Sequence, residues 1–568
     1  MKPALQRADV ETISAAPIRH AASRQWYAVA ALILICGFAF FFGLGRLSLI
    51  GPDEPRFAEA GREMFATGDY VTPRVAGETA FDKPALLYWA MAASYHLFGV
   101  SEFAARFPSA LAALLCVLFL YHAIASTISA RIAFIASVTL ATSLLFMGLA
   151  RAAITDMLFT AAVSVAMLCA YLYETKASRA RLVYRIAGGA ATGLAVLAKG
   201  LIGIVLIAAI LAISYAISRR PQAKWRDLII ALAICFVVAA AWYTPVTIVN
   251  GYAFIDEFII KHHFRRFLTN RYSHPQPVWF YLPITLAGAL PWTFYLIPAV
   301  ARLPRIKPRS GDDKDYLLAL AWVWLAVPLV FFSISQSKLP SYILPASPAL
   351  AIIIGAEVER MWNGERDRLL QAATWLTAIA LVSITVAVMF YLNRESLISN
   401  AWEWMVYSAP IAIALATLAA IVVKKPQLTV TGAAAVILSL IISITTVILP
   451  RLDERFGLKR LSLEVASALR PDEKMAFYQN KNYAPIFYAE GRAVSDIARG
   501  EGLNAYLLEE IISSLETEPS LIVITTSKYE SDLTNNPMFN TEPIAKQGEH
   551  CALRVQLARE AVVSVATQ

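Results

Sequence analysis

The sequence predicts an α-helical polytopic membrane protein of about thirteen transmembrane helices followed by a small α/β domain. Three observations carry that expectation. Of 568 residues, 58% are hydrophobic and only 16% charged, with a mean hydropathy of +0.56, well outside the range of soluble globular chains. Long apolar runs recur from Trp26 to Leu449, and beyond about Pro450 the composition turns to a mixture of polar and apolar residues. The net charge of +9 would suit a nucleic-acid binder in a soluble chain. Here the basic residues gather in short loops between apolar runs, where they orient helices and meet anionic lipid, which excludes a nucleic-acid partner.

Taken in order, Lys2, Arg7, Arg19 and Arg24 precede the first apolar run and resemble the charged region of a signal peptide. The run itself, Trp26 to about Gly45, is too long for that and is expected to be an uncleaved first span with its N-terminus in the cytoplasm. Further spans are expected at about 101–126, 132–150, 152–173, 186–199, 201–218, 228–249, 278–301, 316–335, 341–357, 369–392, 403–423 and 428–449. Every second connection is basic, from Arg131 through Lys176, Arg181 and Arg185 to Lys424 and Lys425, and these connections should face the cytoplasm. The 47–100 loop then faces outward, and an odd number of spans leaves the C-terminus in the periplasm of a bacterial inner-membrane protein. Residues 1–450 form the transmembrane domain, with outward loops at 47–100 and 250–277, and residues 451–568 a soluble periplasmic domain. In the latter, helix-like SLEVASAL and NAYLLEEIISSL alternate with strand-like MAFYQ and SLIVITT. Four of the five cysteines lie inside apolar runs and only Cys551 outside, so neither a disulfide framework nor a thiolate metal cluster is expected.

The chemistry concentrates in the outward loops. GPDEPRFAEAGREMFATGDYVTPRVAGETAFDKPALLYW, from Gly51 to Trp89, is charge-dense where a short turn would suffice. Asp53 precedes a helix-like run, so it is either an N-cap or a general base acting on an acceptor hydroxyl. Asp156 lies one turn into an apolar run, where an unpaired charge is costly, so it should have a partner; Arg151 is the structural candidate, and a functional role is the alternative. Snorkelling accounts for Lys83 or Lys199 singly. It accounts less well for Lys83, Lys199, Arg265, Arg266 and Lys338 near one membrane boundary, where together they could neutralise a phosphate at headgroup depth. The 250–277 segment carries His262 and His263, which point about 100° apart in a helix. Each is either a surface histidine or a ligand for a divalent cation shared with Asp82.

The ordered set DEPRFAEAGREMFATGDYVTPRVAGETAFDKP, LARAAITDM, LAKGL, KHHFRRF and SKLPSYILP resembles the bacterial aminoarabinose transferases of lipid A and their protein O-mannosyltransferase relatives, within the C-type glycosyltransferases. The resemblance covers the membrane portion to about residue 450. It implies a polyprenyl-phosphate sugar donor, a lipid A, glycan or protein acceptor, and no diffusible organic cofactor. By the same resemblance Asp53 and Asp156 match the two essential acids. Lys83 and Tyr342 match groups that bind the donor phosphate, helped by Arg265 or Arg266, with Arg56 and Lys199 as further cations. Asp82 and His263 match a metal pair, with zinc the candidate ion, although the family has Glu where this chain has Asp82. A transporter or lipid flippase is the alternative from another class.

Overall fold

The computed structural model describes residues 16–176, 178–220, 225–258, 276–365, 367–394, 401–425, 427–471, 473–479, 482–490 and 504–558. Nine helices among them are long and apolar enough to cross a membrane, two bent helix pairs reach that length together, and two shorter apolar helices, Gln25–Phe41 and Ile202–Ser218, complete the series. One such segment stands at each of the thirteen expected spans. Their outward faces carry large apolar side chains, Phe236 being 74% and Ile248 77% exposed, as a surface turned to lipid requires.

The helices that build the site come first in the chain: α1 (Ala16–Cys36), α2 (Asp53–Thr67), α3 (Leu86–Phe98), α4 (Glu102–Ala125), α5 (Ala130–Thr142), α6 (Leu144–Ala150), α7 (Thr155–Thr175), α8 (Ser178–Lys199), α9 (Ile202–Ser218) and α10 (Trp225–Phe254). Between α2 and α3 a two-residue hairpin, β1 (Arg74–Val75) with β2 (Glu78–Thr79), turns through Ala76 and Gly77, both at positive φ. α1 ends in a π-helical turn, Gly37–Phe41. Such a turn displaces carbonyls from the helical ladder, and Arg151 takes up two at this end, donating to Ala39 O at 3.2 Å and Phe42 O at 2.9 Å.

Two of the expected straight spans are broken. The first bends by 65° between α5 and α6, the second by 107° between Val278–Gly288 and Trp292–Arg305. The breaks face each other: Leu144 N–H donates to Leu290 O at 3.2 Å, and Trp292 Nε1 donates to Thr142 Oγ1 at 2.9 Å. Interrupted backbone inside a membrane needs internal partners, and each break supplies them to the other.

The C-terminal domain is a five-stranded sheet of order β4-β3-β5-β7-β6, from β3 (Lys474–Tyr478), β4 (Asn504–Ala505), β5 (Leu521–Thr526), β6 (Phe539–Gln547) and β7 (His550–Leu557). β3 runs parallel to β4 and β5, while β7 is antiparallel to β5 and β6. Alternate residues of β5 feed two cores: Leu521 and Val523 pack with Ile511 and Leu515 on one face, Ile522 and Ile524 with Leu461 and Val465 on the other. A buried network fastens the sheet, in which Glu473 accepts from Arg554 Nε at 2.7 Å and from Ser520 Oγ at 2.6 Å.

Candidate active site

The segment before α2 is held from two sides. Glu54, buried in the first turn, accepts from Arg106 Nε at 3.0 Å and Nη2 at 2.8 Å, from Ile50 N at 3.2 Å and from Ala153 N at 2.7 Å. Arg106, on α4, also donates to the carbonyls of Leu44, Leu47 and Ser48. From the other side the C-terminal domain contributes Asp453, which accepts from Ser48 N at 2.7 Å, and Tyr488, whose hydroxyl accepts from Leu49 N at 2.9 Å and donates to Glu102 at 3.1 Å. Lys459 joins Glu102 at 2.7 Å.

This frame leaves Asp53 facing outward. It is exposed, its carboxylate makes no hydrogen bond or ion pair among the described residues, and the position before the helix is Pro52, without a side-chain cap. The N-cap reading of Asp53 is therefore corrected: Asp53 is the first helical residue, and its neighbour Glu54 carries the polar contacts at this end. Tyr88 lies within electrostatic reach of Asp53, Asp82 and Arg56. Arg56 and Asp82 form a bidentate pair, both bonds 2.9 Å, and the guanidinium stands 5.9 Å from the Tyr483 ring of the C-terminal domain. Burial works against the Arg56 charge, but Asp82 outweighs it and raises the guanidinium above its ordinary value. Tyr88 is held protonated, well above the ordinary phenol range, by burial first and then by the charges of Asp82 and Asp53, with Arg56 opposing. A buried pair deeper in α2, Glu59 with Arg62 at 2.7 Å, leaves the Glu59 carboxyl raised because burial exceeds the help from Arg62.

Asp156, in the first turn of α7, pairs with Lys199 at the end of α8. Arg151, the structural candidate for that partner, is not the residue that pairs with it. α7 and α8 are antiparallel neighbours, so the start of one meets the end of the other, whereas Arg151 turns toward the carbonyls of α1. The Lys199 ammonium also lies 4.2 Å from the centre of the Tyr342 ring and 5.5 Å from that of Phe159. Lys338 is buried and spent on two carbonyls, Gln276 O at 3.0 Å and Ser335 O at 2.6 Å. The Glu54 to Ala153 bond ties the two acids together: Asp53 adjoins one end of it, and Asp156 follows the other by three residues, at most about 11 Å of chain.

Lys83 sits half-buried beside Asp82. Aromatic packing fixes the segment that carries both, with Phe81 on Phe254 at 5.4 Å, Phe254 on Trp242 at 5.4 Å, and Trp242 Nε1 donating to Val71 O at 2.9 Å. His263, Arg265 and Arg266 lie outside the described residues. Among the described residues no group of three or more His, Cys, Asp or Glu side chains could hold a metal, and both Asp82 oxygens already accept from Arg56.

Residues 82–248 match the family described as dolichyl-phosphate-mannose-protein mannosyltransferase. The undecaprenyl phosphate-α-4-amino-4-deoxy-L-arabinose arabinosyl transferase of Aeromonas hydrophila is 32% identical over 61% of this chain and 63% of its own length. That of Edwardsiella ictaluri is 33% identical over 58% of each chain. The match thus spans less than two thirds of these relatives. In fold, ArnT from Cupriavidus metallidurans bound to undecaprenyl phosphate superposes with a TM-score of 0.72 at 23% identity, covering 93% of this chain and 97% of that one. The archaeal oligosaccharyltransferase AglB from Archaeoglobus fulgidus does so with a TM-score of 0.52 at 12% identity, covering 90% and 70%. Across residues 82–248 the sequence matches that mannosyltransferase family, and across nearly its whole length the chain shares the fold of ArnT from Cupriavidus metallidurans.

Proposed function

We propose that the protein is an integral-membrane glycosyltransferase that moves a sugar from a polyprenyl-phosphate donor to a lipid A, glycan or protein acceptor on the periplasmic side of a bacterial inner membrane. The sugar named for its relatives, 4-amino-4-deoxy-L-arabinose, is the first to test. One observation carries the reading: an exposed carboxylate, Asp53, that makes no hydrogen bond or ion pair among the described residues, on a loop held from both sides. A free carboxylate can accept the proton of an acceptor hydroxyl as its oxygen attacks the anomeric carbon. The bond from that carbon to the phosphate oxygen breaks, and the polyprenyl phosphate leaves with the bonding pair. Lys83, Lys199 and Tyr342 take the phosphate charge as it grows, with Arg265 and Arg266 assigned to the same task. Asp156 holds the Lys199 ammonium against Tyr342. Arg56 is engaged with Asp82, so its part is to brace the segment bearing Lys83. Sugar is already activated as the phosphoester, so no nucleotide sugar enters.

The donor is the term to test, because it separates this reading from a transporter. Purified protein in lipid should bind polyprenyl phosphate saturably, in competition with a labelled sugar donor, since the phosphate is common to donor and product. Lys83→Ala should weaken that binding about ten- to a hundred-fold, the value of one charge-assisted contact. Absence of saturable binding in the wild type, or equal binding by the variant, would move the phosphate site elsewhere. The transporter reading has one observation in its favour, the facing pair of broken spans, a feature of many transport sites. Transfer of labelled sugar to an acceptor by the purified protein decides against it.

A further inference from the structure

At the end of the bundle away from Asp156 and Lys199, α7, α8, α9 and α10 enclose a cavity of about 490 Å³. Small residues make the room: Ala166 and Ala170 on α7, Gly188 on α8, Ala208 on α9 and Ala231 on α10 all line it. It opens sideways toward the lipid, because Leu228 and Leu232 both line it and are 59% and 51% exposed. Its far end is polar and ringed by Tyr173, Tyr184, Tyr215 and Tyr316, the residue type that marks a membrane interface.

Three polar groups on this lining, the Ser214 hydroxyl, Arg185 Nε–H and the Glu174 carboxylate, have no hydrogen-bond partner among the described residues. Ser214 is 5% exposed and its hydroxyl makes no hydrogen bond among the described residues. Arg185 pairs through Nη1 with Asp227 at 2.5 Å, yet its buried Nε–H has no acceptor among the described residues. Glu174, half-buried in the last turn of α7, makes no hydrogen bond or ion pair among the described residues, although Arg181 and Arg220 lie within electrostatic reach. Buried polar groups are nearly always satisfied, and orphaned ones point to a missing partner. The missing partner must be apolar along the cavity, must donate to a carboxylate and must accept from a guanidinium and a hydroxyl.

We propose that this cavity is a binding site for a zwitterionic aminophospholipid, one acyl chain lying among the small residues, its ammonium donating to Glu174 and its phosphodiester accepting from Arg185 Nε and Ser214. An anionic lipid leaves Glu174 unmatched. A choline lipid brings a positive charge but no N–H to donate. The site stands apart from the glycosyl-transfer reading and needs only that the bundle spans a membrane. From the start of α7, Asp156 precedes Ala166 by ten residues, about 15 Å of helix, so the lipid does not touch the proposed reaction centre.

The test is native mass spectrometry of the full-length protein, stripped in detergent and resupplied with phosphatidylethanolamine, phosphatidylglycerol or phosphatidylcholine. Wild type should retain one phosphatidylethanolamine about ten-fold better than either other lipid. Glu174→Gln should erase that preference, and Ala208→Phe, which fills the cavity, should abolish retention of all three. Equal retention of the three lipids by wild type overturns the headgroup assignment, and Ala208→Phe retaining phosphatidylethanolamine like wild type overturns the location. In a further arm, added polyprenyl phosphate should bind without displacing the phospholipid. One-for-one displacement would give the cavity to the sugar donor instead and end the proposal, while leaving the donor reading intact.

Discussion

At the start of α2 two acids stand side by side, and their hydrogen bonds assign them different work. Asp53 faces outward with no hydrogen bond or ion pair among the described residues, while Glu54 is buried against Arg106 and accepts from two backbone N–H groups. Asp53→Asn should therefore leave stability within about 0.5 kcal/mol, as for a surface change that breaks no bond. It should cut sugar transfer at least about 100-fold, the scale of lost acid–base catalysis. Glu54→Gln should do the reverse at the level of folding: it strips the charge from a buried pair, at a cost of about 3–5 kcal/mol. Thermal melts and transfer assays on the two variants check this, and an Asp53→Asn enzyme of wild-type rate would remove Asp53 from the chemistry. The acid cluster at the start of α2 was legible in the sequence, but the contacts that distinguish its members were not. The partner of Glu54 lies 52 residues away and that of Asp156 lies 43 away, beyond any local pattern. The demand that Asp156 have a partner was legible because intramembrane charge is costly; which cation met it depended on α7 and α8 packing antiparallel.

Among elements, apolar run length placed an apolar helix or bent helix pair at each expected span, because a fixed membrane thickness sets the length a helix must have. It could not show which spans break. Prolines 108, 245, 328 and 410 sit inside helices that continue past them, whereas the α5 to α6 break falls at Ser143 with no proline there. The deciding contact, Trp292 on Thr142, joins residues 150 apart. In the C-terminal domain the element at issue is the join of β3 to β7 through Glu473 and Arg554. Burial raises the Glu473 carboxyl, but the hydrogen bonds from Arg554, Ser520 and the Arg470 backbone N–H outweigh it and the net shift is downward. A carboxyl depressed on folding contributes stability that is present above its unfolded value and is lost as pH falls through its folded one. Hydrogen exchange along Lys474–Tyr478 and His550–Leu557 should accordingly accelerate once pH drops below about 4.3, the unfolded glutamate value. Glu473→Gln should flatten that dependence, and an unchanged profile in the variant would assign the acid sensitivity to another carboxyl.

At the scale of the whole molecule, the alternation of basic loops predicts sidedness. Reporter tags in the connections before α8 and before α10 should lie in the cytoplasm and one after Gln568 in the periplasm, and a cytoplasmic C-terminus would overturn the orientation. The α/β domain should then stand on the same side as Asp53, and the contacts between them give it a task. Asp453 and Tyr488 hold Ser48 and Leu49, while Arg106 and Glu54 hold the same loop from the membrane side. Asp53 is four residues beyond Leu49, so the domain acts as one jaw of a clamp on the proposed base. Tyr488→Phe keeps the ring and deletes the hydroxyl, leaving the Leu49 N–H without its acceptor at a cost of about 1–3 kcal/mol, while Glu102 keeps Lys459. If part of that cost is met by loosening the loop, kcat should fall several-fold, since a displaced general base loses rate steeply with distance. The KM for donor should hold, because Lys83, Lys199 and Tyr342 stand on other segments. A purely structural role would instead lower the melting temperature and leave kcat per folded molecule unchanged. Steady-state kinetics on the variant, normalised to folded protein, separates the two, and an unaltered kcat would mean that the domain merely rests on the loop it touches.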